Sequence, residues 1–142
     1  VDLSEGMVRE ARRKIQDLGI RQMDAIQTDF LETPFPRKVD LIYILLTLHH
    51  IHDTRAILQA FYDTRNPGGF CCIADLDEED GSFHAEFPDF DGHNGFDQAE
   101  LGKLMEDIGF REVRSRHFHT LTEEKEEGEV RDYPLFLMTG RK

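Results

Sequence analysis

Residues 39–53 read VDLIYILLTLHHIHD. From Val39 to Leu46 the run is continuously apolar and β-rich, the pattern of a strand buried on both faces of a parallel sheet. A short corner follows, and Asp53 stands where it can cap the next helix. Ile57, Leu58, Phe61 and Tyr62 give that helix one apolar face. Asn66-Pro67-Gly68-Gly69 is expected to stop it, and FCCIADL (residues 70–76) reads as a second buried strand. Two such strands joined by a helix make a crossover unit, so the chain is expected to be α/β.

The flanks extend this pattern. Met7, Val8, Ala11, Ile15 and Leu18 recur at helical spacing, with Ser4 as N-cap and Gly19 as C-cap. IRQMDAIQ (20–27) predicts a short strand, and Pro34 and Pro36 mark an irregular loop. Residues 77–95 lack periodicity, and long loops of this kind often serve as lids or binding loops. Phe83, Phe87, Phe90 and Phe96 punctuate the region, either as a lid over a small acceptor or as anchors to the core. A helix is predicted over 97–108, ended by Gly109. Strands over 110–121 and 133–142 follow, with the acidic EEKEEGE turn between them. Strands joined only by a loop pair antiparallel. Neither a repeat nor a second domain is expected.

Composition narrows the function. With 142 residues and a formal net charge of −12, the chain has no basic stripe to offset repulsion from phosphate backbones. Nucleic acid is therefore not an expected partner. No run of about 18 apolar residues exists, so no membrane span or membrane partner is expected. Cys71 and Cys72 are adjacent and so point to opposite strand faces. They read as reduced core residues of a cytoplasmic protein.

VDLSEGMVREARRK, QTDFLE, VDLIYILLTLHHIHD, NPGGFCCIADL and HNGFDQAELGKLMEDIGFREV, in this order, resemble successive motifs of class I S-adenosylmethionine-dependent methyltransferases. The resemblance covers nearly the whole chain. It implies a Rossmann-like sheet of order 3-2-1-4-5-7-6 ending in an antiparallel strand pair, with S-adenosylmethionine as cofactor and a small molecule as methyl acceptor. Asp2 matches the acid that holds the cofactor ribose, and Leu3 and Met7 match apolar positions beside the adenine. Asp29 matches the acid near the adenine amine, with Phe30 next to it. Ile44, Leu45 and Leu46 match the stretch whose backbone runs near the methionine part.

The family's first strand, its Gly-rich turn and most of its second strand have no counterpart here, so the sheet is expected to be incomplete. The 142 residues are expected to be a partial domain of a longer methyltransferase, inactive alone. Completion by a second chain and re-pairing of the strands are the other arrangements. Unpaired edges would then support a homodimer. The second functional reading is a non-catalytic, methyltransferase-like oligomerisation or adaptor module.

Four chemistry-bearing residues, His49, His50, His52 and Asp53, stand together. The set resembles the start of a metallohydrolase His-x-His-x-Asp-His pattern, but the spacing departs, and no metal is expected. One histidine should face the pocket. Methyl transfer depends mainly on positioning, with a general base needed only for a poorly ionised nucleophile. His50 and His93 are the candidate bases, since imidazole titrates near neutral pH. His84, His117 and His119 carry no assignment, and His117 and His119 are expected to share a strand face.

Overall fold

The computed structural model describes residues 1–125 and 128–142. The chain divides into two compact units, Val1–Phe35 and Pro36–Lys142.

In the first unit, helix α1 (Glu5–Asp17) begins at Ser4, whose Oγ accepts from the Met7 N–H at 3.3 Å. Val8 and Ala25 are buried, and Arg12 Nε donates to the Ala25 carbonyl at 2.9 Å. The strand expected over 20–27 does not form. A single parallel bridge joins Asp2 and Gln27. Asp2 N–H donates to the Ile26 carbonyl and Thr28 N–H to the Asp2 carbonyl, each at 3.1 Å. The ladder stops there because the partner segment turns into the Ser4 cap within two residues.

The second unit is built on strands β1 (Val39–Leu45), β2 (Arg65–Leu76), β3 (Arg111–Glu124) and β4 (Val130–Arg141). Helix α2 (Thr54–Thr64) connects β1 to β2, and helix α3 (Gln98–Ile108) precedes β3. Asp53 caps α2 through the Ala56 N–H at 2.8 Å. Asp97 caps α3 through Ala99 and Glu100, and Gly109 ends it in the left-handed region. The sheet order is β1-β2-β4-β3, with β1 and β2 parallel and both other pairs antiparallel. This is the 4-5-7-6 portion of the order expected from the sequence. The α/β class and the terminal antiparallel pair are as expected; the turn at 126–127 lies outside the described residues.

Three expectations change in this unit. The first is that β1 is buried on both faces. Side chains alternate along a strand, and α2 and α3 pack on the face that carries Cys71, Ile73, Phe136 and Met138, all fully buried. The other face leaves Leu41, Tyr43, Leu45 and Phe70 at 53%, 72%, 54% and 48% exposure. The second is that Asn66–Gly69 ends α2 as a turn. These residues instead belong to β2, which starts at Arg65 paired with Val39 before the register shifts to Leu41–Phe70. A Cβ at Gly69 would sit 2.8 Å from the Asp40 carbonyl oxygen, so only glycine lets the strands close there. The third is the common face of His117 and His119. A bulge at Phe118 pairs them with Phe136 and Leu135, which alternate on β4.

Candidate functional site

Strands β1 and β2 are parallel, so their carboxyl ends lie at the same edge of the sheet, where open α/β sheets place their ligands. The chain leaves β1 through Leu46 at φ 47°, a left-handed conformation that is costly for a branched side chain. Two interactions hold it there. Leu46 N–H donates to the Ala74 carbonyl at 2.9 Å, and its side chain packs on the Leu76, Tyr133 and Leu135 cluster.

Beyond Leu46, the corner wraps a carboxylate. Asp75 is fully buried near the end of β2. Its Oδ2 accepts from Thr47, Leu48 and His49 N–H at 3.2, 2.8 and 3.3 Å. Its Oδ1 accepts from Leu76 N–H at 2.8 Å and from His49 Nδ1 at 2.5 Å. These donors satisfy the charge and orient the ring of His49. The carboxylate only accepts, so Nδ1 carries a hydrogen.

His49 is 1% exposed and lies against two more imidazoles. Its ring centroid is 4.2 Å from that of His50 and 5.1 Å from that of His84. His84 comes from a short 3-10 turn, Ser82–His84, in the loop after β2, and stacks on Phe90 at 3.7 Å. His50 is exposed, and its pKa is lowered first by partial burial and then by the charge of His49. His84 is lowered by the same two causes in the same order, with His50 adding to them.

The loop is tied to the corner by backbone. His93 N–H donates to the His49 carbonyl at 2.7 Å, Glu79 N–H to Asn94 at 2.9 Å, and Phe96 N–H to Leu76 at 3.0 Å. His93 Nε2 lies 3.1 Å from the Ile51 carbonyl and 3.3 Å from Thr54 Oγ1. Facing a carbonyl, that nitrogen donates. His52 meets Asp91 at the surface, 3.4 Å away. Among the phenylalanines, Phe83 packs edge-on against Tyr133 and Phe87 is 64% exposed.

The other sequence candidates lie in the first unit. Asp2 is exposed, with Oδ1 accepting from Ser4 N–H at 2.8 Å. Leu3 and Met7 are 65% and 60% exposed. Asp29 Oδ1 accepts from Leu31 and Glu32 N–H at 2.8 and 3.3 Å, and Phe30 stacks on Phe35 with centroids 5.5 Å apart. In the second unit, Ile44 is half-buried and Leu45 is exposed.

Residues 1–69 match the family model described as a methyltransferase domain. The structure superposes on a Bacillus halodurans protein assigned as a methyltransferase with a TM-score of 0.75 at 19% identity, over 99% of this chain and 80% of that one. The chain has the fold of a class I methyltransferase-like domain. It is 30% identical over 106 residues to the ubiquinone/menaquinone biosynthesis C-methyltransferase of Psychromonas ingrahamii, covering 73% of this chain and 41% of that protein. It also superposes on a Haemonchus contortus phosphoethanolamine N-methyltransferase in complex with phosphomonomethylethanolamine and S-adenosylhomocysteine (TM-score 0.74, 12% identity, 99% of this chain, 42% of that one). The chain spans 18%, 24% and 41% of the length of three curated relatives it matches.

Sequence reasoning missed Asp75 and His84, and singled out His49 only as part of its cluster. The signal for Asp75 was present: a lone carboxylate inside the apolar run FCCIADL must be either paired or very costly. Nothing in the spacing signals His84, which reaches the corner only through the loop.

Proposed function

We propose that the protein takes part in S-adenosylmethionine-dependent methyl transfer to a small-molecule acceptor. The observation that carries this reading is the corner clamped by Asp75 at the carboxyl ends of β1 and β2, with an exposed His50 on it. When bound, the cofactor supplies an electrophilic methyl group on sulfur.

The residues of the first unit fit its nucleoside end. Asp2 presents an exposed carboxylate, steadied by the Ser4 N–H, to accept from ribose hydroxyls. Asp29 is steadied by two N–H groups to accept from the adenine amine, and Leu3, Met7 and Phe30 offer apolar surface. The backbone of Ile44, Leu45 and Leu46 is assigned to the methionine part, where the left-handed Leu46 sets the direction of the chain. His50 takes the acceptor's proton when the nucleophile is a poorly ionised hydroxyl or amine. His93 is the weaker candidate for that base, because its Nε2 already donates to Ile51.

Calorimetric titration of S-adenosylhomocysteine into the chain tests this. Saturable binding that Asp2→Ala weakens supports the assignment. Binding unchanged by Asp2→Ala overturns the site assignment, and failure to bind at millimolar ligand overturns a cofactor site formed by this chain alone.

A second reading, a non-catalytic module that forms homodimers, is favoured by one observation. β1 is an edge strand of its sheet, and its exposed face carries Leu41, Tyr43 and Leu45. Sedimentation at micromolar concentration separates the two. A dimer abolished by Leu45→Lys, with no affinity for S-adenosylhomocysteine, favours the module.

A further inference from the structure

We propose that His49, His50 and His84 form a binding site for a divalent transition metal of the zinc type. Imidazole nitrogens suit zinc and its neighbours, and three of them leave a fourth position open for water or another ligand.

The geometry converges on one point. One potential ligand atom from each of the three side chains lies within 4.8 Å of the others. Zinc–nitrogen bonds of about 2.0–2.1 Å require ligand atoms roughly 3.3 Å apart. The rings therefore close by on the order of 1 Å, which the exposed His50 achieves by side-chain rotation.

The second observation is independent. Buried polar atoms almost always find a hydrogen-bond partner. Among the described residues, four buried side-chain nitrogen or oxygen atoms have none, and two of these are His49 Nε2 and His84 Nδ1. A metal ion satisfies both at once. A third is Glu79 Oε1, in the same loop, whose negative charge acts on His84.

The surroundings have the features of a metal centre. A ligating histidine almost always donates its other N–H to a carboxylate or carbonyl, which fixes the ring. His49 does this to Asp75 at 2.5 Å, and the backbone of Thr47–His49 holds Asp75 in turn. Phe90 holds His84 by stacking. The sequence marks only part of this site: His49 and His50 stand in the 49–53 cluster, whereas the third ligand comes from the loop.

The proposal is independent of the methyl-transfer reading. If both hold, the ion takes the lone pair that His50 would use as a base, and metal competes with proton transfer.

The test is titration of Zn²⁺ and Co²⁺ into the chelator-stripped 142-residue chain, by calorimetry and visible absorption. One equivalent should bind, and Co²⁺ should show the d–d bands of a four-coordinate centre. His84→Phe preserves the stack on Phe90 and should weaken binding at least about tenfold, and Asp75→Asn roughly 10–100-fold. His50→Ala, at an exposed position, should weaken it without threatening the fold. His117→Ala and His119→Ala should leave it unchanged. Absence of binding, binding undiminished in both His84→Phe and His50→Ala, or loss of binding in the β3 variants would each overturn the proposal.

Discussion

Strand β2 carries a fully buried charge near each end, and the two are accommodated differently. Asp75 accepts from four backbone N–H groups and one imidazole. Arg65 meets only dipoles and rings. Its Nε donates to the Phe61 carbonyl at 3.2 Å and its Nη1 to Gly140 and Gly69 at 3.2 and 3.5 Å. Among the described residues Nη2 has no hydrogen-bond partner, and the guanidinium lies 4.3 Å from the centre of the Phe110 ring. Burial lowers its pKa. The carboxylate gathers three consecutive N–H groups of the corner and the His49 ring onto the end of β2. The guanidinium ties together strand ends that the ladder already holds.

The largest effect expected from this difference belongs to Asp75→Ala. It leaves three consecutive corner N–H groups and His49 Nδ1 without an acceptor, and should cost about 3–5 kcal/mol, as loss of one partner of a buried charged set does. Urea unfolding checks this, as a lowered midpoint at unchanged slope. Arg65→Met keeps the apolar stem and removes a poorly compensated charge, so it should cost only about 1–2 kcal/mol. An equal cost for both substitutions would break the comparison.

Acid should act on the Asp75 corner before it acts elsewhere. His50 and His84 have folded pKa values below the ordinary 6.5 because burial, and then the charge of His49, disfavours the imidazolium. Below pH 6.5 the unfolded chain binds these protons first. Their contribution is therefore complete above 6.5 and is lost as pH falls toward the folded values. Asp80 acts in a lower window. Hydrogen bonds from Ser82 hold it at about 2 against an ordinary 3.8, so its contribution is lost only below 3.8. Stability measured against pH should decline in two stages, and replacing His50 and His84 together by Gln should remove the first. The smallest effect belongs to the open face, where Tyr43→Ser should change stability by less than about 0.5 kcal/mol.

The fold was legible where local chemistry decides it. Asp53 and Ser4 cap the helices expected of them, and Gly109 ends α3, because caps act within one turn. The parallel pair followed by an antiparallel hairpin could be read from connection lengths. What depends on distant contacts was not legible. The apolar run in β1 gives no sign of which side its helices cover. The NPGG stretch joins β2 because Arg65 finds Val39 and Gly69 meets Asp40, and neither partner is near in sequence. The site divides in the same way. His50 stood out through its cluster, whereas Asp75 and His84 gain their meaning only when the end of β2, the corner and the loop meet.

The ends of the loop between β2 and α3 are seated by main-chain atoms, and its middle by side chains, with Arg131 reaching Asp80 at 3.1 Å and Ser82 Oγ lying 3.0 Å from the Tyr133 hydroxyl. Asp77 N–H reaches the Pro134 carbonyl at 3.0 Å and Glu78 N–H that of Phe96 at 3.1 Å. Gly92 and Gly95 lie so close to the carbonyls of His49 and Asp77 that neither position has room for a Cβ. A mounting made of peptide groups does not depend on the side chains between its fixed points. Apart from those two glycines, side chains at the loop's ends can be exchanged while these fixed points persist. What the protein recognises can therefore diverge faster than the scaffold that presents it.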